Sequence, residues 1–106
     1  MKRLLPIMTL LLGVCWVTQT SATMVMSGKQ KYVVCGGCHG MNGEGNAALE
    51  YPPLAGLDAT RVGQLLRDYQ AGRIDTPKAA TMRAITAPLS EDDMDNLGAY
   101  IATLGR

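Results

Sequence analysis

With 106 residues, of which 18% are charged and 5% aromatic, the chain has room for one domain and little aromatic surface with which to build a core. A formal net charge of +1 without a clustered basic run argues against a nucleic-acid surface and names no other partner class. A domain of this size buries only roughly 60% of its unfolded surface, so a disulfide, a metal or a cofactor is expected to complete the core.

The chain opens with Lys2 and Arg3, runs through 14 largely apolar residues from Leu4 to Val17, and reaches a small polar stretch, Thr18 to Ala22. A basic start, an apolar middle and a small-residue end form the pattern of a secretory signal peptide, and Thr20 and Ala22 are spaced for cleavage. The division expected is a cleaved signal peptide over residues 1–22 and a functional domain over 23–106. The alternative is a retained anchor, but a spanning helix needs roughly 18 to 20 apolar residues. No stable membrane insertion is therefore expected after cleavage, and the domain is expected to be exported and soluble in the periplasm. Cys15 follows the bulky Val14 and reads as an apolar leader residue rather than a lipid-attachment site. Beyond the leader, 8 Lys and Arg stand against 9 Asp and Glu, a net charge of −1, and neither Trp nor Phe remains.

Three helices are predicted, and no stretch alternates as a strand would. The first runs from about Ser27, as N-cap, into Cys35, with Met24 and Met26 before it in a frayed terminus. Gly40 to Asn46 follows as a turn-rich loop, and Tyr51-Pro52-Pro53-Leu54-Ala55-Gly56 extends the irregular segment. The second helix starts after Asp58 and sets Val62, Leu65, Leu66 and Tyr69 on one face, with Gly72 as its stop. A loop bracketed by Pro77 and Pro88 then carries Met82. The third helix starts at Ser90, where Glu91, Asp92 and Asp93 suit the positive end of the dipole. Its stripe is Met94, Leu97, Ile101 and Leu104, and Gly105 ends it. The expected fold class is all-α, about three main helices with loops around one cofactor.

The chemistry sits in Cys35-Gly36-Gly37-Cys38-His39, a C-x-x-C-H run, which is the attachment signature of c-type haem. Two thiols three positions apart on one helical turn can each add across a vinyl group at one porphyrin edge. The next residue, His39, then lies beneath the iron as proximal ligand, with its other ring nitrogen donating elsewhere to fix the tautomer. A thioredoxin-like pair needs a strand-helix context that is not seen here. A zinc site needs four protein ligands, and beyond the leader there are only two Cys and one His. One haem c, covalent through Cys35 and Cys38, is the expected cofactor.

The iron's sixth position has methionine candidates and no second histidine. Met41 lies two residues past His39, too close along the chain to reach the opposite face, and Met94 belongs to an apolar stripe where methionine usually fills core space. Met82, 43 residues after His39, has enough chain to wrap to the far side. Met82 is the assigned ligand, and an open or otherwise occupied sixth position is the alternative.

Over about Ser27 to Leu104 the chain resembles the bacterial class I cytochromes c, most closely the small monohaem type and the single halves of tandem di-haem cytochromes. The resemblance rests on Gly28-Lys29 leading into Cys35-x-x-Cys38-His39-Gly40, and on Tyr51-Pro52-Pro53-Leu54-Ala55-Gly56. It also rests on Gln64-Leu65, on Met82 followed by Leu89-Ser90, and on Ala99-Tyr100-Ile101. It implies a class I cytochrome c fold, Met82 as distal ligand, and a Pro52 carbonyl that accepts the hydrogen bond from His39. It further implies that the first and last helices cross, with Gly28 allowing close approach and Tyr100 near the contact. Tyr32, Tyr69 and Tyr100 are otherwise expected to be ordinary core aromatics. Leu57 stands where such proteins often carry Gln, and Arg73 and Lys78 are candidates to meet haem propionates, though each also reads as a solvated surface charge.

The function expected is a periplasmic monohaem one-electron carrier with His39 and Met82 on the iron, rather than an enzyme. Its partners would be redox proteins: a donor dehydrogenase or cytochrome complex, and an acceptor such as a terminal oxidase. The alternatives are a haem subunit of a fixed oxidoreductase complex, or a haem sensor or peroxidase-like protein if the sixth position is open.

Overall fold

The computed structural model describes residues 12–13 and 20–105, so most of the expected signal peptide, 1–22, lies outside the described residues. Among the described residues the architecture is four α-helices and one short 3-10 turn, all-α as expected but with one helix more than the sequence pattern suggests. Among the described residues the only β-pairing is an isolated antiparallel bridge between Asn46 and Tyr51.

Helix α1 spans Ser21–His39 and starts about six residues before the expected N-cap at Ser27. Thr20 caps it instead, its hydroxyl accepting from the Thr23 N–H at 3.3 Å. Met24 and Met26 therefore belong to the helix, not to a frayed terminus, and a cut after Ala22 would fall in its first turn. Ala and Met are good helix formers, and Ser27 and Gly28 sit in the interior because packing holds them there. The buried face is Gly28, Tyr32, Gly36 and His39, a stripe in which glycines replace the apolar residues that a periodicity search looks for. That stripe lies against the last helix.

Helix α2 (Ala59–Gln70) is capped by Asp58, whose carboxylate accepts from the Arg61 N–H at 2.8 Å. Val62 and Leu66 are its buried apolar positions, and Gly72, at φ +72°, turns the chain away. Helix α3 (Ala79–Thr86) carries Met82 and replaces the loop expected there. It is short and has no side-chain cap, so little in its sequence announces it. Pro77 and Pro88 flank it, positions where proline is compatible with a helix start and with the chain beyond a helix end. Helix α4 (Glu91–Ile101) has a full capping box: the Ser90 hydroxyl accepts from the Asp93 N–H and the Asp93 carboxylate from the Ser90 N–H, both at 3.0 Å. It closes at Ile101, so Leu104 joins the core from the turn beyond it.

Helix α4 lies across both α1 and α2, and α3 packs on α2 alone. Tyr32, Val62, Leu66, Met94, Leu97 and Ile101 form the core, with Cys35, Leu54, Leu57, Leu89, Tyr100 and Leu104 packed on it. Leu57 thus contributes apolar packing at the position where similar proteins often carry Gln. The α1–α4 crossing is close because Gly28 has no side chain: a Cβ there would run into the Asn96 carbonyl oxygen and stand 2.8 Å from Tyr100 Cβ. Tyr32 and Tyr100 meet edge to face at 5.2 Å in the same interface.

Candidate haem site

Cys35, Cys38 and His39 all lie near the C-terminal end of α1, Cys35 resting on the core and Cys38 half-buried. The two cysteines form no disulfide with each other. Burial pushes the Cys35 thiol above its ordinary value, and the neighbouring Cys38 pushes in the same direction. The carbonyl end of a helix dipole also disfavours a thiolate. A thioredoxin-type pair needs the opposite, a thiol made acidic by its surroundings. Among the described residues no three His, Cys, Asp or Glu side chains converge as ligands to one ion.

His39 is 7% exposed, and its Nδ1 lies 2.8 Å from the Pro52 carbonyl oxygen. A carbonyl only accepts, so Nδ1 is the donor in this bond, and in the neutral imidazole that tautomer leaves the lone pair on Nε2. The loop after α1 creates this pairing. Gly40, at φ +87°, turns the chain, and the Gly43 N–H donates to the Gly40 carbonyl at 3.0 Å. The Gly45 N–H then donates to the His39 carbonyl at 2.7 Å. The Gly43 carbonyl accepts from Leu54 at 2.8 Å and from Ala55 at 3.0 Å, while Asn46 and Tyr51 exchange hydrogen bonds at 2.8 and 2.9 Å. These bonds fold the Tyr51 to Ala55 segment back and bring Pro52 to the imidazole.

Met82 stands apart from this cluster. It is half-buried on α3, which packs on α2 and not on α1, so His39 and Met82 are carried by elements that do not pack on each other. Gln70, at the end of α2, fastens the far end of α3: its Nε2 donates to the carbonyls of Thr86 at 2.9 Å and Leu89 at 2.7 Å. Met94 is 1% exposed in the core, whereas Met26 and Met41 are 67% and 57% exposed, with Met41 lying over Gly36. Arg73 pairs with Asp68 at 3.2 Å, and Lys78 sits 4.8 Å from the centre of the Tyr51 ring. Two contributors are not evident in the sequence. One is Gln70, a single amide at a helix end. The other is the Tyr32 hydroxyl, which donates to the Gly40 carbonyl at 2.7 Å and which helical periodicity cannot tell from a phenylalanine ring.

The donor set fits a haem: two cysteines one helical turn apart, and next to them a buried imidazole with one nitrogen occupied by a hydrogen bond. With the four-helix arrangement, this defines an all-α protein of the covalent haem class. A family comparison matches the cytochrome c domain over residues 25–105. Cytochrome c-554(547) of Halothiobacillus neapolitanus is 44% identical over 87 residues, covering 74% of this chain and 93% of that protein. Cytochrome c4 of Azotobacter vinelandii is 41% identical over 71 residues, covering 66% of this chain but only 34% of that protein. The crystal structure of reduced recombinant cytochrome c4 from Pseudomonas stutzeri superimposes with a TM-score of 0.74 at 27% identity, covering 84% of this chain and 52% of that one. The chain belongs to the cytochrome c family, with the class I fold, and its cofactor is one haem c bound covalently through Cys35 and Cys38.

Proposed function

We propose that this protein is an exported one-electron carrier with His39 and Met82 as axial ligands, working in the periplasm between a donor dehydrogenase or cytochrome complex and an acceptor such as a terminal oxidase. The observation that carries this reading is the His39–Pro52 hydrogen bond, which occupies Nδ1 and leaves Nε2 as the nitrogen available to a metal beside the two tethering cysteines. When bound, the haem supplies an iron that alternates between two oxidation states one electron apart. His39 would take one axial position, and Met82, on a helix separated from α1, is suited to the opposite one. A thioether ligand favours the reduced state and raises the potential. With both positions filled by the chain, substrate has no coordination site, and carrying electrons is the chemistry left. Cys35 and Cys38 would keep the cofactor from being lost outside the cytoplasm. Val33, Val34 and Met41, all more than half exposed around the attachment turn, offer an apolar surface for brief contact with redox partners. Residues 1–22 would direct export and be removed. Among the described residues no helix is long and apolar enough to cross a membrane.

The test compares Met82→Ala with Met94→Leu in the haem-loaded protein. Met82→Ala should let the reduced form bind carbon monoxide rapidly and should lower the potential. Met94→Leu, a near-isosteric exchange in the core, should do neither. Rapid carbon monoxide binding by the unaltered protein, or equal behaviour of the two variants, would remove Met82 from the iron and favour a sensor or peroxidase-like role.

A further inference from the structure

Tyr32 is fully buried, and a phenylalanine would fill the same space without the cost of taking a hydroxyl out of water. The hydroxyl is in use. It donates to the Gly40 carbonyl at 2.7 Å, and burial pushes its pKa up to about 12, so it remains a donor throughout the physiological range. Gly40 directly follows His39, and its carbonyl also holds the Gly43 N–H at 3.0 Å. Gly43 in turn holds Leu54 and Ala55, the residues just beyond Pro52, whose carbonyl receives the imidazole Nδ1–H. The Tyr32 ring is itself fixed. Tyr100 meets it edge to face at 5.2 Å, and a Cβ on Gly36 would lie 3.5 Å from its Cε1.

We propose that Tyr32 is a positioning residue for the axial histidine, its hydroxyl anchoring the Gly40 carbonyl and thereby the loop that sets the His39–Pro52 hydrogen bond. This rests on His39 being an iron ligand. A strong Nδ1–H bond makes the imidazole a more basic ligand, which stabilises the oxidised metal, and outer hydrogen bonds of this kind tune metal sites. Removing the Tyr32 hydroxyl frees one of the two bonds on the Gly40 carbonyl. The loop then relaxes, the bond to Pro52 weakens, and the potential rises. Tyr100 is the natural control, because it belongs to the same aromatic pair and its hydroxyl has no hydrogen-bond partner among the described residues.

The experiment compares the haem-loaded wild type, Tyr32→Phe and Tyr100→Phe by redox titration and by proton NMR of the His39 ring. In Tyr32→Phe the potential should rise and the Nδ1 proton should exchange with solvent several-fold faster. Tyr100→Phe should leave both unchanged, even if it lowers the melting temperature. A purely structural Tyr32 would lower stability without moving either quantity, and that result overturns the proposal. Should Tyr32→Phe not accumulate, the wild type still decides: the Tyr32 hydroxyl proton must be protected from exchange and close to Gly40, and a rapidly exchanging one overturns the proposal. The wild-type spectrum judges the parent reading separately. Absence of a histidine ligand there removes both claims, absence of the methionine alone removes only the parent reading, and a normal signature with an unmoved Tyr32→Phe potential removes only this one.

Discussion

Gly28→Ala sets two opposed effects against each other. Within a helix, replacing Gly by Ala favours folding by about 1 kcal/mol through propensity alone. At Gly28, however, the new methyl would run into the Asn96 carbonyl oxygen and stand 2.6 Å from its carbon and 2.8 Å from Tyr100 Cβ. Carbon pairs are comfortable at about 3.5 Å or more, so α1 and α4 must separate by about 1 Å, a gap that forfeits a quarter to a half of the attraction between the atoms lining it. The edge-to-face packing of Tyr32 on Tyr100 and the core around it loosen as the helices part. Overpacking of this kind costs about 1–3 kcal/mol, and because two backbones rather than a flexible side chain must yield, the upper end applies. The net expectation is a loss of about 2 kcal/mol after the propensity gain. Chemical denaturation of the haem-loaded protein measures it as a lower midpoint with an unchanged slope. Gly63→Ala in α2 is the comparison, since only the far end of the Arg67 side chain lies within 3 Å of its added Cβ and its exposed ion pairs are worth little if it shifts, so the change should be near neutral. If Gly28→Ala proves as stable as wild type while Gly63→Ala behaves as expected, the two helices do not approach so closely.

Asp93 is held below its ordinary value of 3.8, first by the Ser90 N–H bond and also by Lys31, so its carboxylate stabilises the fold above the unfolded value and loses that effect as pH falls through the folded one. Asp93→Asn should therefore flatten the acid limb of a stability-against-pH curve below about pH 4, and an unchanged limb would dismiss the capping contribution. Asn96 is 7% exposed and its Oδ1 has no partner among the described residues, so Asn96→Leu should hold or raise stability by about 1 kcal/mol. A clear loss on thermal unfolding would mean that the oxygen is satisfied. Arg67 donates at 2.6 Å to both Glu91 and Asp95 across α2 and α4, but the pairs are solvent-facing, so Arg67→Met should cost no more than about 1 kcal/mol. The difference should shrink in high salt, and a salt-independent loss would place the effect in packing instead.

The attachment run is legible because its chemistry needs fixed residue types at fixed spacing, and Cys35, Cys38 and His39 stand on one helix end as that spacing implies. The starts of α2 and α4 are legible for a similar reason: Asp58 and Ser90 are capping residues ahead of apolar periodicity. Helix α1 is only half visible, since its buried face is built from Gly28 and Gly36 around a tyrosine and a histidine, a pattern that apolar periodicity does not register. Helix α3 is hidden for a different reason. Eight residues without a capping side chain, set between two prolines, look like a loop until α2 provides a surface for them. The link from Tyr32 through Gly40 to Pro52 passes through backbone carbonyls, and no side-chain alphabet spells those out.

The elements that carry His39 and Met82 are moored unequally. The histidine side belongs to the crossing of α1 and α4 and is laced through its loop by backbone hydrogen bonds, whereas the segment bearing Met82 leans on one helix and is fastened at its far end through the amide of Gln70. Under mild denaturant or rising temperature the weaker mooring slips first. On the ligation proposed above, the sulfur side would let go first while the imidazole and the thioether tethers still hold, so a stressed molecule would keep its cofactor and could close again.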